Sequence, residues 1–452
     1  MSQTKHVENL IIGAGLVGSI TAWILAQHGK TGVLLERNAD PGGVNGSFAD
    51  PDGNWFDHGR HVINADRSDF TTRFFRQVLG QDGVREFDLQ RGIIVKGHLI
   101  PYAAPPELWP DEIKNRLEQN SGKPGIHLGS TRAEFAQAYG SWFADLVFDE
   151  MMRAYPILMW KHEHGISEEK LLDWLFPWFF PRTNMEQHPE TVSELGVYSD
   201  ESRLYHYESR HADPPAEPVL YPAGKGGYAA WIHAMLDGAA ESIKVHTGLS
   251  DIQIDIDPES LEVHSVTAGG QKYTADTVFW CAPLPVLCKT VGWTLPKGEP
   301  QWELMGSFTF NEPVNNEYHE ILFADPAHKI RRINFPGLFE GNEQSKTLQV
   351  EYTTLGEELK HNPEEWRKDW LNSLHQLGFI KSDSEPKYFD FKKVSRGIVS
   401  TEDLSSFLAD CEQRIRKANG NLVAPHMAVA SDNNSRLVPK VYKCITKYLT
   451  SN

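Results

Sequence analysis

Gly13-Ala14-Gly15-Leu16-Val17-Gly18 constrains this chain more than any other stretch, because of what stands on either side of it. The run Val7-Glu8-Asn9-Leu10-Ile11-Ile12 before it is short and apolar toward its end, as a buried strand requires. Ser19 to His28 follows with helical spacing, Gly29 supplies a stop, and Val33-Leu34-Leu35 is a second strand closed by Glu36. Strand, glycine turn, helix and strand make a βαβ unit of the dinucleotide-binding kind. Gly13 permits the tight turn, Gly15 lets backbone approach a pyrophosphate, and Gly18 lets the helix pack close to the strand. An acid at Glu36, roughly 20 residues beyond the turn, suits a ribose hydroxyl and repels a 2′-phosphate.

The chain has 452 residues, enough for two or three domains with a large core. Its formal net charge of -17, with no long basic run, argues against a nucleic-acid-binding surface and leaves an anionic substrate to a few local arginines. No stretch approaches the roughly 18 consecutive apolar residues of a membrane helix, and Met1 to His6 is too polar to open a secretory signal, so the expected location is the cytoplasm. Cys281, Cys288, Cys411 and Cys444 form no C-x-x-C pair and read as buried thiols, with no metal-ligand cluster elsewhere.

After Glu36 the chain reads Arg37-Asn38-Ala39-Asp40-Pro41-Gly42-Gly43. An arginine followed by paired glycines resembles the second fingerprint of large FAD enzymes of the glutathione-reductase-like class. Gly42 and Gly43 would lay a second loop against the cofactor without a Cβ in the way. The segment Asp57-His58-Gly59-Arg60-His61 resembles the flavin-facing turn of the UDP-galactopyranose mutases and related FAD proteins. Gly59 and His61 match that pattern, while Arg60 stands where the mutases have proline. The resemblance makes His61 the candidate for a flavin-facing histidine, against its being an ordinary turn histidine.

The same family resemblance extends along the chain. Tyr155 and Trp160 keep the spacing of the mutases' tyrosine and of the tryptophan that packs over the substrate, and Phe180-Pro181-Arg182 stands where the family has an arginine. Arg331-Arg332-Ile333 resembles the family's second arginine, with Arg332 the closer match. Two arginines converging on one diphosphate are chemically apt, since guanidinium makes bidentate charge-assisted bonds. Strand alternation predicts that only one of Arg331 and Arg332 points into the cleft. Tyr221 to Tyr228 resembles the turn that returns the chain to the cofactor domain, Leu249 stands where relatives touch adenine through backbone, and Asp432 is placed to accept a ribityl hydroxyl bond. The C-terminal segment departs from the mutases. Aligned on Asp432, Val423 and Ala424 replace their G-R pair, and Ala428 and Ala430 replace their two tyrosines.

Arg91 to Tyr102 reads as a hairpin around Lys96-Gly97, Thr131 as the cap of a helix begun by Arg132, and the strands between Trp302 and Thr354 as an antiparallel sheet. The expected fold class is α/β, a Rossmann-like, glutathione-reductase-like FAD-binding domain with an inserted helical region and an antiparallel-sheet substrate domain. The expected segments are 1–104, 216–298 and 391–452 for the FAD-binding domain, 105–215 for the helical cap and 299–390 for the sheet. The resemblance implies a flavoenzyme with non-covalent FAD, acting on a nucleotide-linked or phosphorylated sugar by pyranose-furanose isomerisation with reduced flavin as nucleophile, with a donor such as NAD(P)H to reduce it. The alternative on the same scaffold is an oxidoreductase of the amine oxidase or protoporphyrinogen oxidase kind, which the C-terminal departures favour. A silent FAD-binding scaffold and a nicotinamide-only dehydrogenase stay open.

Overall fold

The structure, a computed structural model, describes residues 3–65, 69–102, 110–112, 115, 131–168, 170–171, 218–314, 317–381, 383–400, 404–426 and 434–451. The chain divides into two compact units, one of Met1–Glu86, Leu220–Pro300 and Ser395–Asn452, the other of Phe87–Val219 and Gln301–Val394.

The first unit is built on a seven-stranded sheet. Its centre is the strand Lys5–Ile12, parallel on one side to Gly32–Leu35 and on the other to Gln271–Trp280. Ile243–His246 extends the sheet in parallel beyond Gly32–Leu35, and Leu422–Val423 adds in parallel to Gln271–Trp280. The strands at 253–256 and 263–268 complete it in antiparallel pairing. Helix Leu16–Gln27 crosses between the first two strands and is buried along most of its length. Leu10, Ile12, Val33, Leu35, Val278 and Trp280 meet the side chains of helices Leu284–Val291 and Leu404–Lys417 in one core. Parallel strands covered by helices read as continuous apolar runs, which is why this sheet was legible from sequence.

The second unit holds another seven-stranded sheet, in the order 388–399, 299–309, 347–354, 332–334, 320–323, 91–95 and 98–101. From Glu299–Thr309 to His98–Pro101 the pairing is antiparallel except between Glu320–Phe323 and Arg91–Val95. The hairpin Arg91 to Tyr102 forms with Lys96 at φ 49° and Gly97 at φ 73°, the two positive φ angles of a type I′ turn. It joins this second sheet through Glu320–Phe323 and belongs to the second compact unit. The physical reason is that a self-contained hairpin carries its own turn and takes its partner from whichever sheet edge its apolar face matches.

One face of this sheet carries Leu304, Phe308, Ile321, Phe323, Ile333, Leu348 and Val350, packed with Trp366, Trp370, Leu371 and Leu374 of helix Pro363–Gln376. That helix starts at Asn362, whose side chain accepts from the Glu364 and Glu365 amides in a capping box. A second capping box at Thr131 starts helix Arg132–Tyr139 as expected. The opposite sheet face alternates in register with the first and is polar yet buried.

Candidate functional site

The glycine turn has three glycines with three different reasons. At Gly13, φ is 101°, and its N–H donates to the Leu35 carbonyl at 2.8 Å, tying the turn to the second strand. A Cβ on Gly18 would lie 1.8 Å from the Gly13 carbonyl oxygen, so helix and turn can approach only through glycine. A Cβ on Gly15 would meet nothing nearer than the Gly42 carbonyl at 3.8 Å, and its φ of -73° is open to any residue. Neither packing nor backbone conformation asks for glycine there, and its absence of a Cβ leaves the backbone open to close approach. Helix Leu16–Gln27 begins at Gly15 with no side-chain cap and no acid in its first turn, so its leading amides suit an anion.

Glu36 is buried, with Oε2 accepting from the Ala14 amide at 2.7 Å and Oε1 from the Asn38 amide at 2.8 Å. The acid therefore fastens the glycine turn to the end of the second strand while each oxygen keeps lone pairs for a hydroxyl. The Gly42 amide donates to the Ala14 carbonyl at 2.8 Å, and Gly15 and Gly42 form an isolated parallel bridge. Gly42, at φ 120°, and Gly43, at φ 57°, hold the second loop in conformations an L side chain resists. Leu249 sits beside them, its amide donating to the Glu36 carbonyl at 3.1 Å, so a backbone contact from Leu249 to a base falls to its carbonyl. Arg37 is exposed. Gly13, Gly15, Gly18, Glu36, Gly42, Gly43 and Leu249 are thus brought together, whereas Asp432 and Arg182 lie outside the described residues.

Gly59, at φ 93°, turns the chain between two histidines that hold the second loop. The Nε2 of His61 lies 2.7 Å from the Val44 carbonyl and the Nδ1 of His58 lies 2.9 Å from the Gly43 carbonyl. Carbonyls only accept, so these nitrogens carry the protons. Beneath them is a network that sequence reasoning missed. Asp57, buried, accepts from Ser47 Oγ at 2.6 Å, the Tyr228 amide at 2.8 Å and the Tyr221 hydroxyl at 2.8 Å. Ser47 Oγ accepts in turn from the Ala229 amide. At Gly227 a Cβ would fall 2.6 Å from Asp57 Oδ1, so the Tyr221 to Tyr228 turn closes directly onto this carboxylate. A charged residue ending the apolar strand Trp55–Asp57 is the signal that could have revealed it.

In the second unit, Tyr155 and Arg332 come near each other at the sheet, with Trp160 on the helix Pro156–Glu163 that packs on strand Thr347–Thr354. The Tyr155 hydroxyl donates to the Phe323 carbonyl at 3.0 Å. Burial pushes its phenol well above the usual range, with the nearby charges of Arg331 and Arg332 pulling the other way. Trp160 stacks on His164 at 4.2 Å between ring centres.

Arg332 donates from Nη2 to Glu351 Oε2 at 2.5 Å and from Nε to the same oxygen at 3.2 Å, with Glu320 3.9 Å from Nη1. Burial alone would lower its pKa, but Glu351, Glu320 and Glu303 outweigh it and hold the guanidinium charged. Arg331 pairs with Glu303 at 2.9 Å and donates to Thr353 at 3.1 Å. Both arginines therefore reach carboxylates of one sheet face, which corrects the alternation argument. Arg331 precedes the strand Arg332–Asn334, and outside the pleat its side chain is not bound to the opposite face.

The comparisons with known proteins bear on the first unit and on the whole fold separately. Residues 11–78 match a family model described as an NAD(P)-binding Rossmann-like domain. A 15-cis-phytoene desaturase of Narcissus pseudonarcissus is 40% identical over 59 residues, 13% of this chain and 10% of that protein, so the match spans about a tenth of the relative's length. The crystal structure of reduced UDP-galactopyranose mutase superposes with a TM-score of 0.70 at 15% identity, over 99% of this chain and 96% of that one. The fold is that of UDP-galactopyranose mutase. A protein assigned as a protoporphyrinogen oxidase from Exiguobacterium sp. 255-15 shares it at 13% identity, with a TM-score of 0.64 over all of both chains.

Against the mutase fold, Val423 lies on the strand Leu422–Val423, whose Leu422 and Val423 pair with Val278 and Phe279, and Ala424 follows it packed on the first core. Residues Ala428 and Ala430 lie outside the described residues. Among the described residues no group of His, Cys, Asp or Glu is placed to hold a metal ion, and no helix is long and apolar enough to cross a membrane.

Proposed function

We propose that this chain is a flavoenzyme that binds FAD non-covalently and acts on a nucleotide-linked or phosphorylated sugar, exchanging its pyranose and furanose ring forms. The observation that supports the cofactor is Gly15, a glycine with no packing or conformational need for one, at an uncapped helix start and bridged to the Gly42-Gly43 loop. Glu36 would take the ribose hydroxyls, and Asp432 a ribityl hydroxyl. Asp57, through Ser47 and the Tyr228 amide, would keep the Gly227 turn from shifting under the ring system. His61 would hold the loop edge and present its second ring nitrogen as an acceptor in the neutral form. Bound FAD supplies a nucleophilic nitrogen when reduced and a hydride acceptor when oxidised.

The substrate's phosphates would fall to Arg182 and Arg332, with Tyr155 and Trp160 as pocket wall. Arg332 enters that role already paired with Glu351, so a phosphate would share the guanidinium with that carboxylate. Such a site works by positioning and charge more than by acid or base groups. NAD(P)H is the proposed donor for reducing the flavin.

The second reading, an oxidoreductase that moves hydride from a small organic substrate, is favoured by Val423 and Ala424 in place of the mutases' G-R pair. One experiment addresses both. Flavin-loaded protein is incubated with UDP-galactose under dithionite, and the sugar products are resolved by chromatography beside an aerobic assay of peroxide release. A furanose product only with reduced flavin is expected. Peroxide with amines or porphyrinogens and no furanose would replace the mutase reading with the oxidase one, and a colourless protein that takes up no FAD would remove both.

A further inference from the structure

The polar face of the second sheet contains a row that neither phosphate binding nor the cofactor uses. Cross-strand register sets Ser307, Gln349, Asn334, Glu320 and Arg91 side by side across five strands. All but Arg91 are at most 2% exposed. Arg91 Nε lies 2.6 Å from Glu320 Oε1, so the single cation and single anion of the row neutralise each other. Gln349 donates to Ser307 Oγ at 3.0 Å.

Asn334 has one end of its side-chain amide bonded and the other not. Its Nδ2 donates to Glu351 Oε1, and because a carboxylate only accepts, that contact fixes which end of the amide is nitrogen. The Oδ1 end is then turned away from Glu351, is buried, and has no donor among the described residues. A buried acceptor left unpaired is costly, and a donor arriving from outside would remove that cost.

We propose that this row is the subsite for the uncharged, hydroxyl-bearing ring of the substrate, with Asn334 Oδ1 accepting a hydrogen bond from a ring hydroxyl. The inference deepens the sugar reading above and rests on it. Charge selects the ligand class. An ammonium or a carboxylate placed here would meet a row whose own charges are already balanced, whereas a hydroxyl supplies the missing donor and brings no charge to compensate. Spacing agrees. Arg332, the proposed phosphate partner, is two residues along the same strand, roughly 7 Å from Asn334, about the span of one sugar ring bonded to a phosphate. Glu351 bonds both residues, through Oε2 to Arg332 and through Oε1 to Asn334, and so acts as the positioning residue that sets the phosphate and ring ends relative to each other.

The test uses flavin-loaded, full-length protein. Methyl galactopyranoside and its four monodeoxy derivatives are titrated by saturation-transfer NMR, UDP is titrated by tryptophan fluorescence, and putrescine serves as a cationic probe. We expect one monodeoxy derivative to bind about tenfold more weakly than the parent, Asn334→Leu to weaken the parent by a similar factor, and that derivative to lose nothing further in the variant. UDP binding weakens by a smaller factor than glycoside binding in the variant. Flavin absorbance and near-UV circular dichroism check that Asn334→Leu is folded; if it is not, the monodeoxy series on the unmodified protein decides alone. Equal binding of all the derivatives, no glycoside binding, or putrescine binding that Asn334→Leu abolishes would each overturn the subsite. If UDP binds and the glycosides do not, the nucleotide reading survives and this inference falls. If the glycosides behave as expected and UDP does not bind, the reverse holds.

Discussion

In the first sheet the strand Lys5–Ile12 ends in Asn9, Leu10, Ile11 and Ile12, all buried, while in the second the strand Thr347–Thr354 is buried along all eight residues yet alternates Leu348, Val350 and Tyr352 with Gln349, Glu351 and Thr353. Both strands are interior. The first meets the apolar side chains of helices on its faces and serves as a frame, with the glycine turn beyond its end tied to the neighbouring strand by backbone. The second has one apolar face on helix Pro363–Gln376 and one polar face whose groups must find partners or lose stability. The first sheet is therefore held mainly by apolar burial, and the second also by side chains paired across strands.

The largest effect is expected from Gly18→Val. A side chain there collides with the Gly13 carbonyl, and the turn has no room to retreat because Gly13 is bonded to Leu35. Flavin absorbance of the purified protein should vanish, and a variant that retains it would mean that the turn does not set the cradle.

Next is the second sheet. Glu351→Ala removes the nearest carboxylate from Arg332 and leaves it Glu320 at 3.9 Å, and the loss of one partner of a buried pair costs up to about 3–5 kcal/mol, read as a fall in the urea midpoint. Flavin absorbance should survive, because the cradle is built from the other unit. Parallel loss of flavin would show that the two units fold as one.

Asp57→Asn probes the side-chain exception in the first unit. The amide cannot accept from Ser47, the Tyr228 amide and Tyr221 as the carboxylate does, and a loss of about 1–3 kcal/mol is expected together with weaker flavin retention on dialysis. Unchanged retention would demote the network to plain packing. Thr131→Ala in the second unit removes one capping box and should cost about 1 kcal/mol with no change in flavin content.

The smallest effect at neutral pH separates the units in alkali. Burial pushes the thiols of Cys281 and Cys288 in the first unit up to about 12, and burial raises the phenols of Tyr155 and Tyr352 in the second beyond the usual range. A group with a raised native pKa contributes stability that is present below its unfolded value and is lost as pH rises toward the native one. Loss should therefore begin above roughly pH 8.5 through the thiols and steepen above about pH 10 through the phenols. Replacing Cys281, Cys288, Cys411 and Cys444 by alanine should flatten the first part of the denaturation profile and leave the second.

The βαβ unit, the hairpin at Lys96-Gly97, the cap at Thr131 and the strands between Trp302 and Thr354 were all legible because each is encoded within a few residues: a glycine where φ is positive, a hydroxyl before a helix, an alternation along a strand. The placement of the hairpin in the second sheet was not, since Arg91–Val95 finds its partner in Glu320–Phe323, more than two hundred residues away, and nothing local names that partner. Glu351 illustrates the same divide. Its position in an alternating strand is plain from the sequence alone, but that it is wholly buried, clamps Arg332 and orients the Asn334 amide follows only from the register between two strands. Local backbone preference is written residue by residue and is readable in the chain; which buried charges meet depends on contacts between distant segments, and only the tertiary structure decides those.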